Sequence, residues 1–248
     1  MIPKTIHYCW FGGKPLSEEA IKCIQSWKKF MPDYRILQWN ESNFDINLYN
    51  YSKQAYQEKK WAFVSDVARF HILFTQGGIY FDTDVELIKS LEPIVTEGGY
   101  IGLEKKEPFV SNISLELAAN PGLGMAAPPG LELFKEILHY YKKECFLDSQ
   151  GNFSGKTVVH ITTEALIRHG LTNTKFPQFI DGLFIYPDDY FCPLDRNTGK
   201  LNITSNTYSI HWFSASWLSN YSKFKLMVKR LIGPKLSGII IKFKNYWR

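Results

Sequence analysis

The stretch WAFVSDVARFHILFTQGGIYFDTDVE, residues 61–86, constrains the fold more than any other part of the chain. Its first sixteen residues are strongly apolar and read as one buried helix. Gly77 is a natural stop for it, and Gly78 continues the turn. The run Ile-Tyr-Phe that follows reads as a short strand, and it delivers Asp82 and Asp84. Two carboxylates one residue apart repel each other, and burying them costs more. A divalent cation between them would relieve the repulsion, and oxygen ligands favour Mg²⁺ or Mn²⁺, ions that commonly bridge carboxylates to phosphate oxygens. The bare Asp-x-Asp triplet also fits a solvated turn after a strand. On the helix, Asp66 and Arg69 lie three apart and share a face with Ala62 and Leu73, both expected to be buried. A charged pair in such a helix needs mutual pairing or a ligand.

The rest of the chain repeats the alternation of strand and helix. Strands are expected over 4–11, 34–39, 99–103, 122–127, 183–187 and 207–213. Helices are expected over about 18–31, 52–60, 131–144 and 161–169. Ser17 can cap the first helix, with Glu18 and Glu19 in its first turn, and Ile21, Ile24, Trp27 and Met31 recur at helical spacing. This order predicts an α/β fold, mostly parallel, with helices on the faces of the sheet. At 248 residues the chain suits one α/β domain plus a tail. The boundary falls near Trp217, giving a domain over 1–217 and an extension over 218–248.

Charge divides the chain at nearly the same place. Residues 196–248 hold ten Lys and Arg and no acid, while the first 195 hold 19 basic and 24 acidic residues, for a net +5. The end, KFKLMVKRLIGPKLSGIIIKFKNYWR, interleaves cations with Leu, Ile, Phe and Trp. Such a basic amphipathic segment is suited to an anionic membrane surface. The other reading is a solvated pair of basic helices. Nucleic acid is not expected, because the positive excess sits in the tail and not around the carboxylates. The four cysteines are scattered and suggest neither a zinc site nor a disulfide framework. No signal peptide or membrane-spanning run is read, so a reducing cytoplasm is expected.

His211, in YSIHWFSASW, ends an apolar run and could complete a metal site or serve as a structural histidine. Trp10, Trp212 and Trp217 could stack on a base or sugar, or simply belong to the core.

Taken together, IPKTIHYCWFGGKPL, SWKKFMPDYRILQWNE, AFVSDVARFHILFTQGGIYFDTDVE and HWFSASW resemble the sugar-nucleotide glycosyltransferases of family 32. That family includes bacterial capsule and polysaccharide glycosyltransferases and yeast outer-chain-initiating mannosyltransferases. The chain is also similar to the catalytic core of the large clostridial glucosylating toxins. The resemblance covers residues 1–217. It implies a GT-A type, Rossmann-like nucleotide-sugar-binding fold and a metal-dependent, retaining hexosyl transfer. The donor would be a nucleotide sugar, UDP preferred, and the acceptor a saccharide or polyprenyl-lipid-linked oligosaccharide in surface polysaccharide synthesis. The enzyme would act at the inner face of the plasma membrane. By the same resemblance, Asp84 would bind Mn²⁺ or Mg²⁺ directly, with Asp82 and His211 completing the shell, and Asp82 could also reach ribose or sugar. Asp66 and Arg69 would hold the donor sugar and its phosphate, with Tyr80, first of Tyr-x-Asp-x-Asp, on the donor side. Trp10 would stack on the nucleobase, and Ser216 and Trp217 would close on the diphosphate. No catalytic base is assigned. HITTEAL at 160–166 replaces the Thr-Gly-Pro of many relatives, so acceptor contacts are left open.

Two other classes stand beside this reading. A haloacid-dehalogenase-type phosphatase also places Asp-x-Asp after a strand and would need a later pair such as Asp188–Asp189. Its first motif, however, wants Thr or Val where this chain has Glu86. A catalytically inactive carbohydrate or membrane-surface binding module is the other.

Overall fold

The structure is a computed structural model that describes residues 1–104, 117–153, 155–196 and 198–214. The expected tail over 218–248, with Ser216 and Trp217, lies outside the described residues. In chain order the elements begin with β1 (Thr5–Cys9), α1 (Glu18–Phe30), β2 (Arg35–Trp39), α2 (Asn50–Gln57) and α3 (Trp61–Gln76). Next come β3 (Gly78–Tyr80), β4 (Val85–Leu87), α4 (Glu92–Glu97), β5 (Gly99–Gly102) and β6 (Met125–Ala127). The remainder are α5 (Glu132–Lys143), α6 (Val158–Arg168), β7 (Gln178–Ile180), β8 (Leu183–Tyr186), α7 (Asp188–Phe191) and β9 (Ser209–His211).

Seven strands form one sheet in the order β2-β1-β3-β6-β5-β8-β7. The pairs β1–β2, β1–β3 and β5–β8 are parallel, while β6 and β7 run antiparallel to their neighbours. Five of the seven strands therefore point the same way, as the α/β expectation requires. Successive side chains alternate between two cores, one on each face of the sheet. Tyr80, Met125, Ile101 and Ile185 enter the core beneath α2, α3, α5 and α6. Ile79, Ala126, Tyr100 and Tyr186 enter the core on the opposite face, where Trp27 of α1 is also buried. A sheet covered on both faces needs continuously apolar strands, which is how these segments read.

Local sequence accounts for the helix ends. Ser17 caps α1 by accepting the Ala20 N–H at 3.1 Å, with Glu18 and Glu19 in the first turn and Lys28 and Lys29 in the last. α3 occupies residues 61–76 as expected, and Gly77 ends it at φ 65°. Gly78 is required for space. A Cβ there would lie 2.6 Å from the Thr5 carbonyl oxygen of β1.

Some expectations are corrected. Ile21 is 43% exposed although it shares the helical spacing of α1, because only the Ala20, Cys23, Ile24 and Trp27 side meets the sheet. Ala62 is partly rather than fully buried, since it lies in the open first turn of α3. β6 begins at Met125, three residues after the expected start, because Pro121–Leu123 form a 3₁₀ turn. α6 begins at Val158, capped by Thr157. The short strands β4 and β7 and the short helices α4 and α7 have too few residues to show a period.

Candidate active site

β3 is a central strand, and the chain leaves its carboxyl end through Phe81 into a turn closed by the Val85 N–H on the Asp82 carbonyl at 3.1 Å. Open α/β sheets gather ligands at this edge. After the turn, β4 pairs antiparallel with β9 in a separate two-stranded ribbon, with Val85 opposite His211. The ribbon is held to the domain by α1. The Trp27 indole N–H donates to the Val85 carbonyl at 2.7 Å, and the Leu87 N–H donates to Ser26 Oγ at 2.9 Å. The chain's last described strand is thereby brought against the Asp-x-Asp turn.

Asp82 faces α3. Its Oδ1 lies 3.2 Å from Arg69 Nη2 and accepts the Tyr80 hydroxyl at 3.1 Å. The same Nη2 lies 2.9 Å from Asp66 Oδ1, and Arg69 Nε–H donates to the Ser65 carbonyl. The Arg69 guanidinium also sits over the Tyr80 ring, 4.9 Å from its centroid. Arg69 and Asp66 are 3% and 8% exposed, so this cation is fixed and largely shielded from water. Burial pushes the Asp66 carboxyl up to about 7, against the pull of Arg69 and with help from Asp82. For Arg69 burial works against the charge, but Asp82, Tyr80 and Asp66 outweigh it and keep the guanidinium protonated.

Asp84 faces the other way. Its Oδ1 lies 3.0 Å from His211 Nε2, and its Oδ2 accepts the Ser214 N–H at 2.9 Å and the Ser214 hydroxyl at 3.3 Å. The Asp84 carbonyl accepts the Trp212 N–H at 2.9 Å. Burial alone would raise the Asp84 carboxyl, but His211 and the Ser214 N–H hold it down at about 2. The His211 imidazole is buried too, which disfavours its charge, yet the Asp84 carboxylate raises its pKa.

Asp82, Asp84 and His211 each offer one ligand atom, all within 4.8 Å of one another. Two carboxylates and an imidazole are a donor set that suits Mn²⁺ or Mg²⁺. Asp84 is held charged, and among the described residues His211 Nδ1 is buried with no hydrogen-bond partner. A cation bound through Nε2 and Asp84 would compensate this cluster, so the residues fit a divalent ion.

The structure thus gathers five sequence-predicted residues, Asp66, Arg69, Asp82, Asp84 and His211, with Tyr80 beneath them. Tyr80 is 1% exposed and its hydroxyl is spent on Asp82, so it reaches a ligand only through that carboxylate. Trp10 stands at the carboxyl end of β1, next to β3, half-buried, with its indole N–H donating to the Lys14 carbonyl at 2.6 Å. Ser214 and the Asn120–Gly122 turn were not foreseen. A Cβ on Gly122 would lie 2.4 Å from Asp82 Oδ2, and the Asn-Pro-Gly run that signals this turn is visible in the sequence. The Asp188–Asp189 pair needed by a phosphatase is absent from the metal-ligating cluster found among the described residues.

Residues 17–99 match the family described as the glycosyltransferase sugar-binding region containing a DXD motif. The resemblance read from the sequence is borne out over residues 17–99, and the α/β layout, mostly parallel with acids beyond a central strand, agrees with the expected fold class. An uncharacterized glycosyltransferase of Acanthamoeba polyphaga mimivirus is 23% identical to the chain over 242 residues, 91% of this chain and 88% of that protein. Inositol phosphoceramide mannosyltransferase 3 of Schizosaccharomyces pombe is 28% identical over 102 residues, 38% of this chain and 27% of that protein. Among solved structures, the PaToxG glycosyltransferase superposes with a TM-score of 0.47 at 22% identity, covering 67% of this chain and 69% of the other. Among the described residues no helix is long and apolar enough to cross a membrane.

Proposed function

We propose that this glycosyltransferase is a metal-dependent, retaining hexosyltransferase that uses a nucleotide sugar, with UDP the preferred nucleotide. The observation that carries the reading is the meeting of Asp82, Asp84 and His211 within 4.8 Å beside the buried Arg69. A divalent ion, when bound there, supplies a Lewis acid for the leaving diphosphate. Arg69, fixed on three sides by Asp66, Asp82 and Tyr80, would add a preorganised positive charge near the leaving group. Asp66 sets the position of that guanidinium, and Asp82 would accept from a sugar or ribose hydroxyl. Trp10, at the neighbouring strand end, offers its ring to the nucleobase, with Ser216 and Trp217 closing on the diphosphate.

The acceptor in this reading is a saccharide or a polyprenyl-lipid-linked oligosaccharide of surface polysaccharide synthesis. The yeast relative is, by its name, a mannosyltransferase acting on inositol phosphoceramide, which is in keeping with a hexose donor and a lipid-borne acceptor. The basic segment 218–248 would hold a cytoplasmic enzyme at the inner, anionic face of the membrane. Flotation on anionic vesicles tests this part, and equal binding by chains with and without residues 223–248 would count against it.

The central test is a screen of UDP- and GDP-sugars for Mn²⁺-dependent hydrolysis, read by mass spectrometry. The wild-type chain should release one nucleoside diphosphate, and Asp84→Ala should abolish the metal-dependent rate. Near wild-type turnover in Asp84→Ala would remove the site from the chemistry.

A further inference from the structure

A histidine that binds a metal through one ring nitrogen is ordinarily oriented by a hydrogen bond from the other, to a carboxylate, a carbonyl or water. His211 is 6% exposed, and among the described residues its Nδ1 has no such partner. What stands against the imidazole instead is the half-buried ring of Phe213. The two ring centroids are 4.1 Å apart and the planes lie at 77°. An edge-to-face contact this close restricts how far the imidazole can turn about its bond to Cβ.

Phe213 is itself fixed at both ends. The Arg196 guanidinium carbon lies over its ring, 4.4 Å from the centroid. Its backbone sits in the left-handed region at φ 50°, where a bulky residue is an outlier and is kept only by its surroundings. The course of the chain accounts for the strain. β9 ends at His211, and the Trp212 N–H still pairs with the Asp84 carbonyl. A regular antiparallel ladder would next set Ser214 opposite Asp82, whose carbonyl already accepts the Val85 N–H. With the left-handed turn at Phe213, the Ser214 N–H goes instead to the Asp84 side chain at 2.9 Å, and the Phe213 ring lies against His211.

We propose that Phe213 is a positioning residue for the candidate metal site. Its ring does for His211 what a second hydrogen bond does in other metal-binding histidines: it holds the imidazole plane so that Nε2 faces Asp84. The proposal rests on the metal reading above. Packing of this kind orients the ligand without engaging Nδ1, so it does not raise the basicity of Nε2 as a carboxylate partner would. The cost of the left-handed backbone is then the cost of placing a bulky ring at the one turn from which it reaches His211.

The test compares the full wild-type chain with its variants by Mn²⁺ titration, without and with UDP, and by crystallography of the metal-free protein. Phe213→Gly removes the ring and suits the left-handed backbone, Phe213→Tyr keeps the ring, and His211→Ala removes the imidazole. Phe213→Gly should weaken Mn²⁺ binding about tenfold, the scale of losing a ligating histidine's support, and Phe213→Tyr should stay within about twofold of wild type. Introduced into His211→Ala, Phe213→Gly should weaken binding no further, because the ring acts through the imidazole. In metal-free Phe213→Gly crystals the imidazole should have turned, with Nε2 out of hydrogen-bonding reach of Asp84 Oδ1. Wild-type Mn²⁺ affinity in Phe213→Gly would overturn the proposal, and so would a Phe213→Tyr as weak as Phe213→Gly. An undiminished effect of Phe213→Gly in the His211→Ala background, or an unmoved imidazole, would also overturn it. A wild type that binds no Mn²⁺, beside an imidazole that turns in Phe213→Gly, would sink the metal reading and leave the positioning of His211 by Phe213 standing.

Discussion

The two aspartates of one Asp-x-Asp motif belong to two differently built halves of the site. Asp82 is held by groups close in sequence, Asp66, Arg69 and Tyr80, all on α3 or β3. Asp84 is held by His211 and Ser214, more than 120 residues away, through the β4–β9 ribbon. The first half is one buried guanidinium shared by two carboxylates. The second is one carboxylate shared by a histidine and a backbone N–H. The difference teaches that a single motif can combine a preformed, locally encoded charge with a partner that arrives only when the distant end of the domain docks. In the first half the cation is permanent. In the second it is a titratable imidazole, in a place where a metal ion could substitute.

Removing the permanent cation should produce the largest effect. Arg69→Ala leaves Asp66 and Asp82 facing each other, with Asp66 largely desolvated and no cation between them. Breaking a buried pair by deleting one partner costs about 3–5 kcal/mol, which should appear as a lowered midpoint in urea denaturation of the metal-free chain. Part of the cost will be relieved because Asp66 can take up a proton, its carboxyl already being pushed up to about 7 by burial. A loss below about 1 kcal/mol, the worth of an exposed pair, would show that Arg69 does not hold this half together.

The same contrast explains what could be read from the amino acids. The α3 half was legible almost residue by residue. The sixteen-residue helix, its glycine stop and the strand that follows form one continuous pattern, and Asp66–Arg69 can be paired by helical spacing alone. The β9 half was legible only by resemblance. Nothing local in YSIHWFSASW shows that His211 meets Asp84, because the contact is made by strand pairing across a gap of 127 residues, and such pairing leaves no periodic trace. β4 and β7 were missed since three residues cannot display a period of two against the background. Ser214 was missed for a different reason: its backbone N–H does the work, and a backbone donor has no residue type to reveal it.

Acidification should separate the halves by acting on two histidines in opposite senses. His7, 1% exposed in β1, donates from Nε2 to the Gly77 carbonyl at 3.0 Å and accepts the Trp39 indole N–H on Nδ1 at 3.0 Å. It thereby locks the turn through which α3 enters β3. Burial lowers its pKa from 6.5 to about 4, although the bond to Gly77 resists this. The folded chain therefore holds the neutral ring, and below pH 6.5 the unfolded chain takes up a proton that the folded one refuses. The stability His7 contributes is complete above pH 6.5 and is lost as pH falls towards 4, by about 3 kcal/mol at most. His211 behaves in the reverse sense: Asp84 raises its pKa, so its contribution is complete below 6.5 and fades as pH rises. In metal-free protein, the stability of wild type relative to His7→Gln should decline steadily between pH 6.5 and 5. Lacking the titrating ring, the variant should keep the flatter profile set by the other groups. Parallel profiles for the two proteins would mean that the turn is not held by a neutral imidazole, and the α3 half would lose the lock that makes it preformed.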